Sequence, residues 1–292
     1  MSTPSPLATI PLNDGTQIPW IAFGSGTALL KADVVPLIPL AIKNGLTHLD
    51  TAQMYKNEES VGEGIALADV PRESLYITTK LDAVKEGYTV RTQLEESLRK
   101  LRVSYVDLFL VHTPIQHKDL KAVWREMEEV QKAGLTKSIG VSNFKVEHLK
   151  EILDGASAVP AVHQMEYHPY VLKHAEAVHR FNKEHGIVTA SYSGLVPVTR
   201  APEGPLTPVL ESVRQRLETV QGKPVTAVQV LIKWLLQQDI VFVTTTSKEA
   251  RIHEYLEAAA LPPLSPDELQ EIEKTGHTFF KRVYGKRIFG DE

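Results

Sequence analysis

Eight short apolar runs, each followed by a stretch of helical period, limit what this 292-residue chain can fold into. The runs are WIAFG, LTHLD, LYITTK, YVDLFLVH, TKSIGVS, AVHQMEY, IVTASYS and IVFVTTT. The segments that follow them are VVPLIPLAIKN, EESVGEGIALA, VRTQLEESLRKL, LKAVWREMEEVQKA, VEHLKEIL, AEAVHRFNKEH, VTAVQVLIKWLLQQ and EARIHEYLEAA. Pro36 and Pro39 count against the first of these as a helix. Strands alternating with helices in a chain of about 250–300 residues predict an α/β fold of the (β/α)₈ TIM-barrel type, with a doubly wound sheet as the rival. Ahead of the rhythm, Asp14-Gly15 marks a β-hairpin turn. Two helical segments fall outside it: TPVLESVRQRLETV before the last unit, and a C-terminal helix near SPDELQEIEK. The latter has Ser265 as N-cap, Pro266 in first position and Glu268 three residues on. No composition shift marks a boundary, so residues 1–292 read as one domain.

Composition narrows the function classes. Net charge is −4 with acids and bases interspersed, which gives no electrostatic footprint for nucleic acid. The chain has no cysteine, hence no disulfide, thiolate zinc site or catalytic thiol. MSTPSPLATIPL lacks the basic and apolar regions of a signal peptide, and no apolar run reaches the ~20 residues of a membrane span. The expectation is a cytoplasmic protein with no membrane or nucleic-acid partner, a monomer or weak homodimer acting on a small molecule.

In a barrel the chemistry gathers at the C-terminal strand ends. Those ends supply Asp50, Lys80 and His112, with Tyr55 on the loop after Asp50. Each has an ordinary reading alone: Asp50 a turn residue, Lys80 a solvated lysine, His112 a satisfied core histidine, Tyr55 one tyrosine of nine. Together at one rim they make a different case. A carboxylate can hold an ammonium, the ammonium can hold a phenol oxygen, and its charge is expected to lower the phenol pKa from ~10. His112 could then bond a substrate oxygen. The set is a proton-donating site for a carbonyl, without an activated nucleophile or metal cage.

Other motifs are incomplete. Gly24-Ser25-Gly26 lacks the third glycine of a dinucleotide fingerprint, and GVSNF from Gly140 lacks the last glycine of a nucleophile elbow. His174, His179 and His185 are spaced so that they share no helix face and read as solvated.

The combination LDTAQMYKNEESVGEGI, YITTK, DLFLVHTP, KSIGVSNF and VHQMEYHP closely resembles the aldo-keto reductase superfamily over nearly the whole chain. The resemblance implies an NAD(P)H-dependent carbonyl reductase on a (β/α)₈ barrel, with Asp50, Tyr55, Lys80 and His112 as the catalytic tetrad; the cofactor expected for this chain is NADPH (NADP+). It further implies that Ser142, Asn143 and Gln164 hold the nicotinamide carboxamide and that Tyr192 stacks on the ring. Ser193, Leu195 and Pro197 would line the pyrophosphate, with Gly24 and Ser25 approaching from the first strand. One of Ser142 and Asn143 could also cap the helix ahead of FKVEHL.

Three departures from the pattern matter. Many members have Gly-Thr-Trp after the first strand, where this chain has GSGTAL, and many have tryptophan after the catalytic histidine, where it has Thr113. The tryptophans present lie elsewhere: Trp20 before the first rim, and Trp124 and Trp234 within helical runs where core packing explains them. At the adenosine 2′-phosphate the family's Pro-Lys-Ser is replaced by Thr244-Thr245-Thr246. There Ser247 reads as an N-cap with the helix beginning at Lys248, and Lys248 and Arg251 would share a face toward the phosphate. The short loop and TTTSKEAR look most like a fungal-type branch acting on α-keto amides, α-keto esters and conjugated polyketones. A nicotinamide-sensing subunit and a barrel hydrolase or isomerase are the alternative classes.

Overall fold

A computed structural model describes residues 7–290. A two-stranded hairpin, β1 (Thr9–Pro11) and β2 (Gln17–Pro19), precedes a closed parallel barrel. The barrel strands are β3 (Ile21–Gly24), β4 (His48–Asp50), β5 (Tyr76–Leu81), β6 (Val106–Val111), β7 (Thr136–Ser142), β8 (Val162–Glu166), β9 (Val188–Tyr192) and β10 (Val241–Thr244). They pair in sequence order, and β10 closes on β3 with Val243 opposite Ala22. The barrel is thus the expected fold, and the doubly wound sheet is excluded.

Helices α1 (Leu37–Lys43), α2 (Glu58–Ala68), α3 (Val90–Leu101), α4 (Leu120–Lys132), α5 (Val146–Leu153) and α6 (Leu172–Glu184) follow β3 to β8 in turn. After β9 come a short α7 (Val196–Thr199), the extra α8 (Leu206–Gln221) and α9 (Ala227–Leu236). Following β10, α10 (Glu249–Glu257), α11 (Pro266–His277) and α12 (Lys286–Phe289) complete the chain. Pro36 and Pro39 do not prevent α1. Pro36 stands at its N-cap and Pro39 in its first turn, where amides have no intrahelical acceptor. Ser265 caps α11 as expected: its side chain accepts from Glu268 N while Glu268 reaches back to Ser265 N. No helix among the described residues is long and apolar enough to cross a membrane.

Alternation along the strands separates two cores. On β6, Phe109 and Val111 join the core shared with the helices, whereas Leu108 and Leu110 join a smaller cluster with Ala22, Val162, Ala190 and Val241. Hairpin residues Leu12 and Ile18 belong to that inner cluster, so the hairpin plugs one barrel mouth. Asn13 Nδ2, bonded to Pro160 O just ahead of β8, shows that this is the N-terminal mouth. The opposite mouth is left to chemistry.

Buried polar bonds join the helices to the strands. His163 Nε2 accepts from Phe144 N and its Nδ1 faces Asn182 Oδ1, each at 3.1 Å. An imidazolium has no lone pair for Phe144, so the geometry admits only the neutral ring. Burial holds this ring's pKa down to about 4, with Asn182 opposing the shift. His179 is a correction to its solvated reading: it is buried with Nδ1 against Thr189 Oγ1 at 2.9 Å. His174 is partly buried edge-on to Phe280, and His185, although exposed, stacks on Phe181. No group of these or other residues could hold a metal ion among the described residues.

His48, His163 and His179 are each held at about pKa 4, chiefly by burial. In the unfolded chain the same rings titrate near ~6.5. The unfolded state therefore binds more protons between about pH 6.5 and 4, and stability present above that window is lost as pH falls through it. Acidification from pH 7 to 5 should lower the unfolding free energy by on the order of 1–2 kcal/mol per histidine. Urea melts across this range check it, and an unchanged midpoint would contradict the neutral assignments.

Candidate active site

Inward parity decides which strand-end side chains meet at the open mouth. On β4, His48 and Asp50 share a face, and on β5 Thr78 and Lys80 do. His48 Nε2 lies 2.9 Å from Thr78 Oγ1 on this face, and Thr78 and Lys80 pair in register with Leu108 and Leu110 of the inner cluster, which places the face inside the barrel. Asp50 and Lys80 form the next layer up. The Lys80 side chain is wholly buried, and each N–H of its ammonium has an acceptor: Asp50 Oδ1 at 2.5 Å, Thr51 O at 3.1 Å and Tyr55 Oη at 3.1 Å. Asp50 is held on its other oxygen by Gln164 Nε2 at 2.8 Å.

Burial favours the neutral amine of Lys80, but Asp50 and then Tyr55 outweigh it and hold its pKa above the usual value. The phenol departs from expectation. Burial raises the Tyr55 pKa, Lys80 pulls against the rise, and Asp50 adds to it. The sequence-based expectation of a lowered phenol pKa counted Lys80 and left out burial and Asp50. Tyr55 is thus a protonated phenol. Because its oxygen accepts from Lys80, its own proton is free to point elsewhere.

The His112 ring stands edge-on to Tyr55, with centroids 5.5 Å apart at 82°. Burial, with Lys80 nearby, depresses its pKa to about 3 and keeps it neutral. All four residues expected at the rim are therefore together. Gly26 has a steric reason for lacking a side chain: a Cβ there would lie 2.6 Å from the Tyr55 ring. Thr113 is buried with its hydroxyl unpartnered. Trp124 and Trp234 lie in the helix-side core, as expected, and Trp20 lies in the same core.

Beside the tetrad, Tyr192 Oη donates to Asn143 Oδ1 at 2.6 Å, and Asn143 Nδ2 donates to His112 O at 3.1 Å and Ser142 Oγ at 3.0 Å. Asn143 and Gln164 thus bond the tetrad directly, and Ser142 and Tyr192 bond Asn143. Neither Ser142 nor Asn143 caps α5, however. Lys145 is its N-cap, and Asn143 adopts a left-handed φ of 62° that turns the chain out of β7.

A cavity of about 450 Å³ runs along the rim between the loop after β3, α7 and the turn after β10. Thr245, Thr246, Ser247, Lys248 and Arg251 line one part of it, and Leu195 another. Ser193 and Pro197 do not line it, and Pro197 is buried. Instead α7 contributes Val198 and Thr199, while Ala28, Leu29, Val228 and Tyr255 complete the wall. Sequence reasoning missed these six because apolar and small residues carry no chemical signature. Gly24 and Ser25 are also absent from the lining. Gly24 O accepts from Thr245 Oγ1, and the Ser25 hydroxyl is turned away to Thr51 and Asn57.

At the turn after β10 the helix begins one residue later than expected. Lys248 is the N-cap residue of α10, and the Thr246 hydroxyl, not Ser247, accepts from Lys248 N at 3.1 Å. Arg251 lies in the first turn as expected, but its Nη1 is paired with Glu254 Oε2 at 2.5 Å. Apolar walls leading to hydroxyls, two cations and a helix start suit an adenosine with a phosphate attached.

The model of the Aldo/keto reductase family matches residues 20–276. The chain is 34% identical to the NAD/NADP-dependent indole-3-acetaldehyde reductase of Schizosaccharomyces pombe, over 94% of this chain and 97% of that one. It is 30% identical to the NADPH-dependent alpha-keto amide reductase of Saccharomyces cerevisiae, over 94% and 95%. Among solved structures, an aldo/keto reductase from Brucella melitensis superposes with a TM-score of 0.81 at 28% identity, covering 92% of this chain and 99% of that one. With its closed barrel and the tetrad gathered at the open mouth, the chain belongs to the aldo/keto reductase family.

Proposed function

We propose that this protein is an NADPH-dependent reductase of ketones and aldehydes, with activated α-dicarbonyl compounds as its preferred substrates. The observation that carries the reading is the three-way seating of the Lys80 ammonium on Asp50, Thr51 and Tyr55. It orients a protonated phenol whose hydrogen is free for a substrate oxygen. Neutral His112 beside the phenol can donate a hydrogen bond to the same oxygen, fixing the carbonyl for attack. As negative charge develops on that oxygen, Tyr55 passes its proton to it and Lys80 stabilises the phenolate left behind. Ser142, Asn143, Gln164 and Tyr192 would hold the nicotinamide, which supplies the hydride when bound.

Tyr55→Phe removes the proton donor and keeps the ring. Its kcat should fall by roughly 10²–10⁴-fold with cofactor affinity little changed. Near-full activity of this variant on a ketone would falsify the assignment.

Substrate choice follows from what the pocket lacks. With Gly26 against Tyr55 and Thr113 beside His112, two positions that carry tryptophan in many relatives offer no aromatic wall here. Vicinal dicarbonyls, whose electrophilic carbon demands less positioning, should show higher kcat/KM than glucose or xylose. Their resemblance to the substrate of the yeast alpha-keto amide reductase supports the same choice. A panel of α-keto esters, cyclic diketones and aldoses decides this: efficient xylose reduction without α-keto ester activity overturns it.

Preference for NADPH rests on Lys248, Arg251 and the hydroxyls of Thr245, Thr246 and Ser247 around one end of the rim cavity. A 2′-phosphate would compete with Glu254 for Arg251. Arg251→Ala should weaken NADPH binding by about 1.5–3 kcal/mol, the value of a hydrogen bond to a charged group, while leaving NADH nearly unchanged. Fluorescence titration of both cofactors provides the comparison. Equal losses for the two, or a wild-type preference for NADH, would show that this turn does not read the phosphate.

A further inference from the structure

The chain after α11 returns to the open rim of the barrel beside β8 and β9 as a strap, residues 279–290, that includes α12. Three of its backbone amides tie it to the barrel among the described residues. Lys281 N donates to Tyr170 O at 3.0 Å, and Val283 N and Tyr284 N donate to Glu166 Oε1 and Oε2, each at 2.8 Å. Glu166 ends β8, and its side chain is wholly buried. Its Oε1 also receives His168 Nε2 at 3.1 Å. A buried carboxylate is costly unless fully hydrogen-bonded, and three donors meet that need here. Arg282, also buried, has its guanidinium over the Phe289 ring and is near enough to Glu166 for the charges to interact.

The strap's position matters to the reaction because of what lies under it. Glu166 pairs in register with Tyr192 on β9. The Tyr284 ring is edge-on to Tyr192 with centroids 6.1 Å apart, and a Cβ on Gly285 would lie 3.8 Å from Tyr192 Oη. Tyr192 in turn holds Asn143, which holds the His112 carbonyl. A continuous line of contacts therefore runs from Glu166 through the strap to the residues beside the tetrad.

We propose that Glu166 is a positioning residue that latches the C-terminal strap and so sets Tyr284 as a wall beside Tyr192 at the mouth of the active site. The carboxylate is suited to this because both oxygens accept. A glutamine would present an NH₂ group to at least one of the strap's N–H donors. The inference deepens the reductase reading and rests on it only for its kinetic arm.

The test compares full-length wild type with Glu166→Gln in two measurements. Limited trypsin digestion reads strap release directly, since Lys281, Arg282, Lys286 and Arg287 are the strap's cleavage points. Glu166→Gln should be cut there about tenfold faster or more, through local opening of a segment that has lost its tie. In turnover with NADPH, KM for a bulky aryl α-diketone should rise about fivefold while kcat for methylglyoxal stays within about twofold. A general loss of packing would lower kcat for both substrates. Unchanged cleavage refutes the latch, and faster cleavage with an unchanged KM refutes the wall. Should Glu166→Gln fail to fold, Val283→Pro removes one donor from the strap, with faster cleavage expected at Lys281, Lys286 and Arg287, since trypsin does not cut before proline, and the same kinetic outcome. If the wild type reduces no carbonyl, the reductase reading falls while the proteolysis arm still decides the latch.

Discussion

A lysine ammonium with no exposure to solvent, deep in the mouth of a barrel, is the constraint around which this structure is arranged. An isolated ammonium there would lose its proton or unfold the site. It survives because a carboxylate, a backbone carbonyl and a phenol oxygen converge on its three N–H bonds. That demand fixes Asp50 at the end of one strand, Lys80 one strand away and the Tyr55 loop above both. Gln164 is drawn in from across the barrel to the second oxygen of Asp50, and Gly26 must stay bare so that the Tyr55 ring can sit where it does. The phenol is oriented as a by-product of keeping the lysine charged.

The barrel supplies this convergence through an alternation of two. Residues that point inward on β4, β5, β7, β8 and β9 reach the same height at the open end, so that Asp50, Lys80, Ser142, Gln164 and Tyr192 become neighbours although they come from five strands. The same alternation sends Phe109, Val111 and Ile139 outward into the helix layer. A slip of one residue in any of these strands would exchange a reactive group for an aliphatic one. With the hairpin filling the other mouth, the interior is packed below and polar above.

Around the tetrad the structure uses neutral and ionised groups differently. His112 is kept neutral by burial and by the adjacent ammonium, which suits it to hydrogen bonding and not to proton delivery. Glu166, on the strand opposite Tyr192, spends its carboxylate on backbone amides of the C-terminal strap. The turn after β10 keeps its cations at the surface, with Arg251 paired to Glu254. The mouth thus separates a buried centre of paired groups from a more exposed, cationic end along one rim.

The sequence by itself determined the eight strands, the helices between them and the four rim residues. Alternating hydrophobicity, helical period and capping signals such as Ser265 with Glu268 are local, and local physics reads them correctly. Pro36 and Pro39 misled only because a proline in the first helical turn costs no hydrogen bond. What tertiary structure decided concerns groups whose environment is assembled from distant segments. His179 reads as a solvated helix residue until β9 brings Thr189 against it. The pKa of Tyr55 moves opposite to the direction expected from Lys80 because burial and Asp50 enter the balance only in the folded chain. Ser25 is drawn away from the rim by Thr51 and Asn57, and the cavity wall is completed by Ala28, Leu29 and Tyr255, residues with no motif to announce them. The C-terminal strap had no place in the sequence pattern at all, because two amides bonded to a carboxylate more than a hundred residues earlier leave no periodic trace. Periodicity records which face a residue turns inward; burial and partner identity exist only once the faces meet.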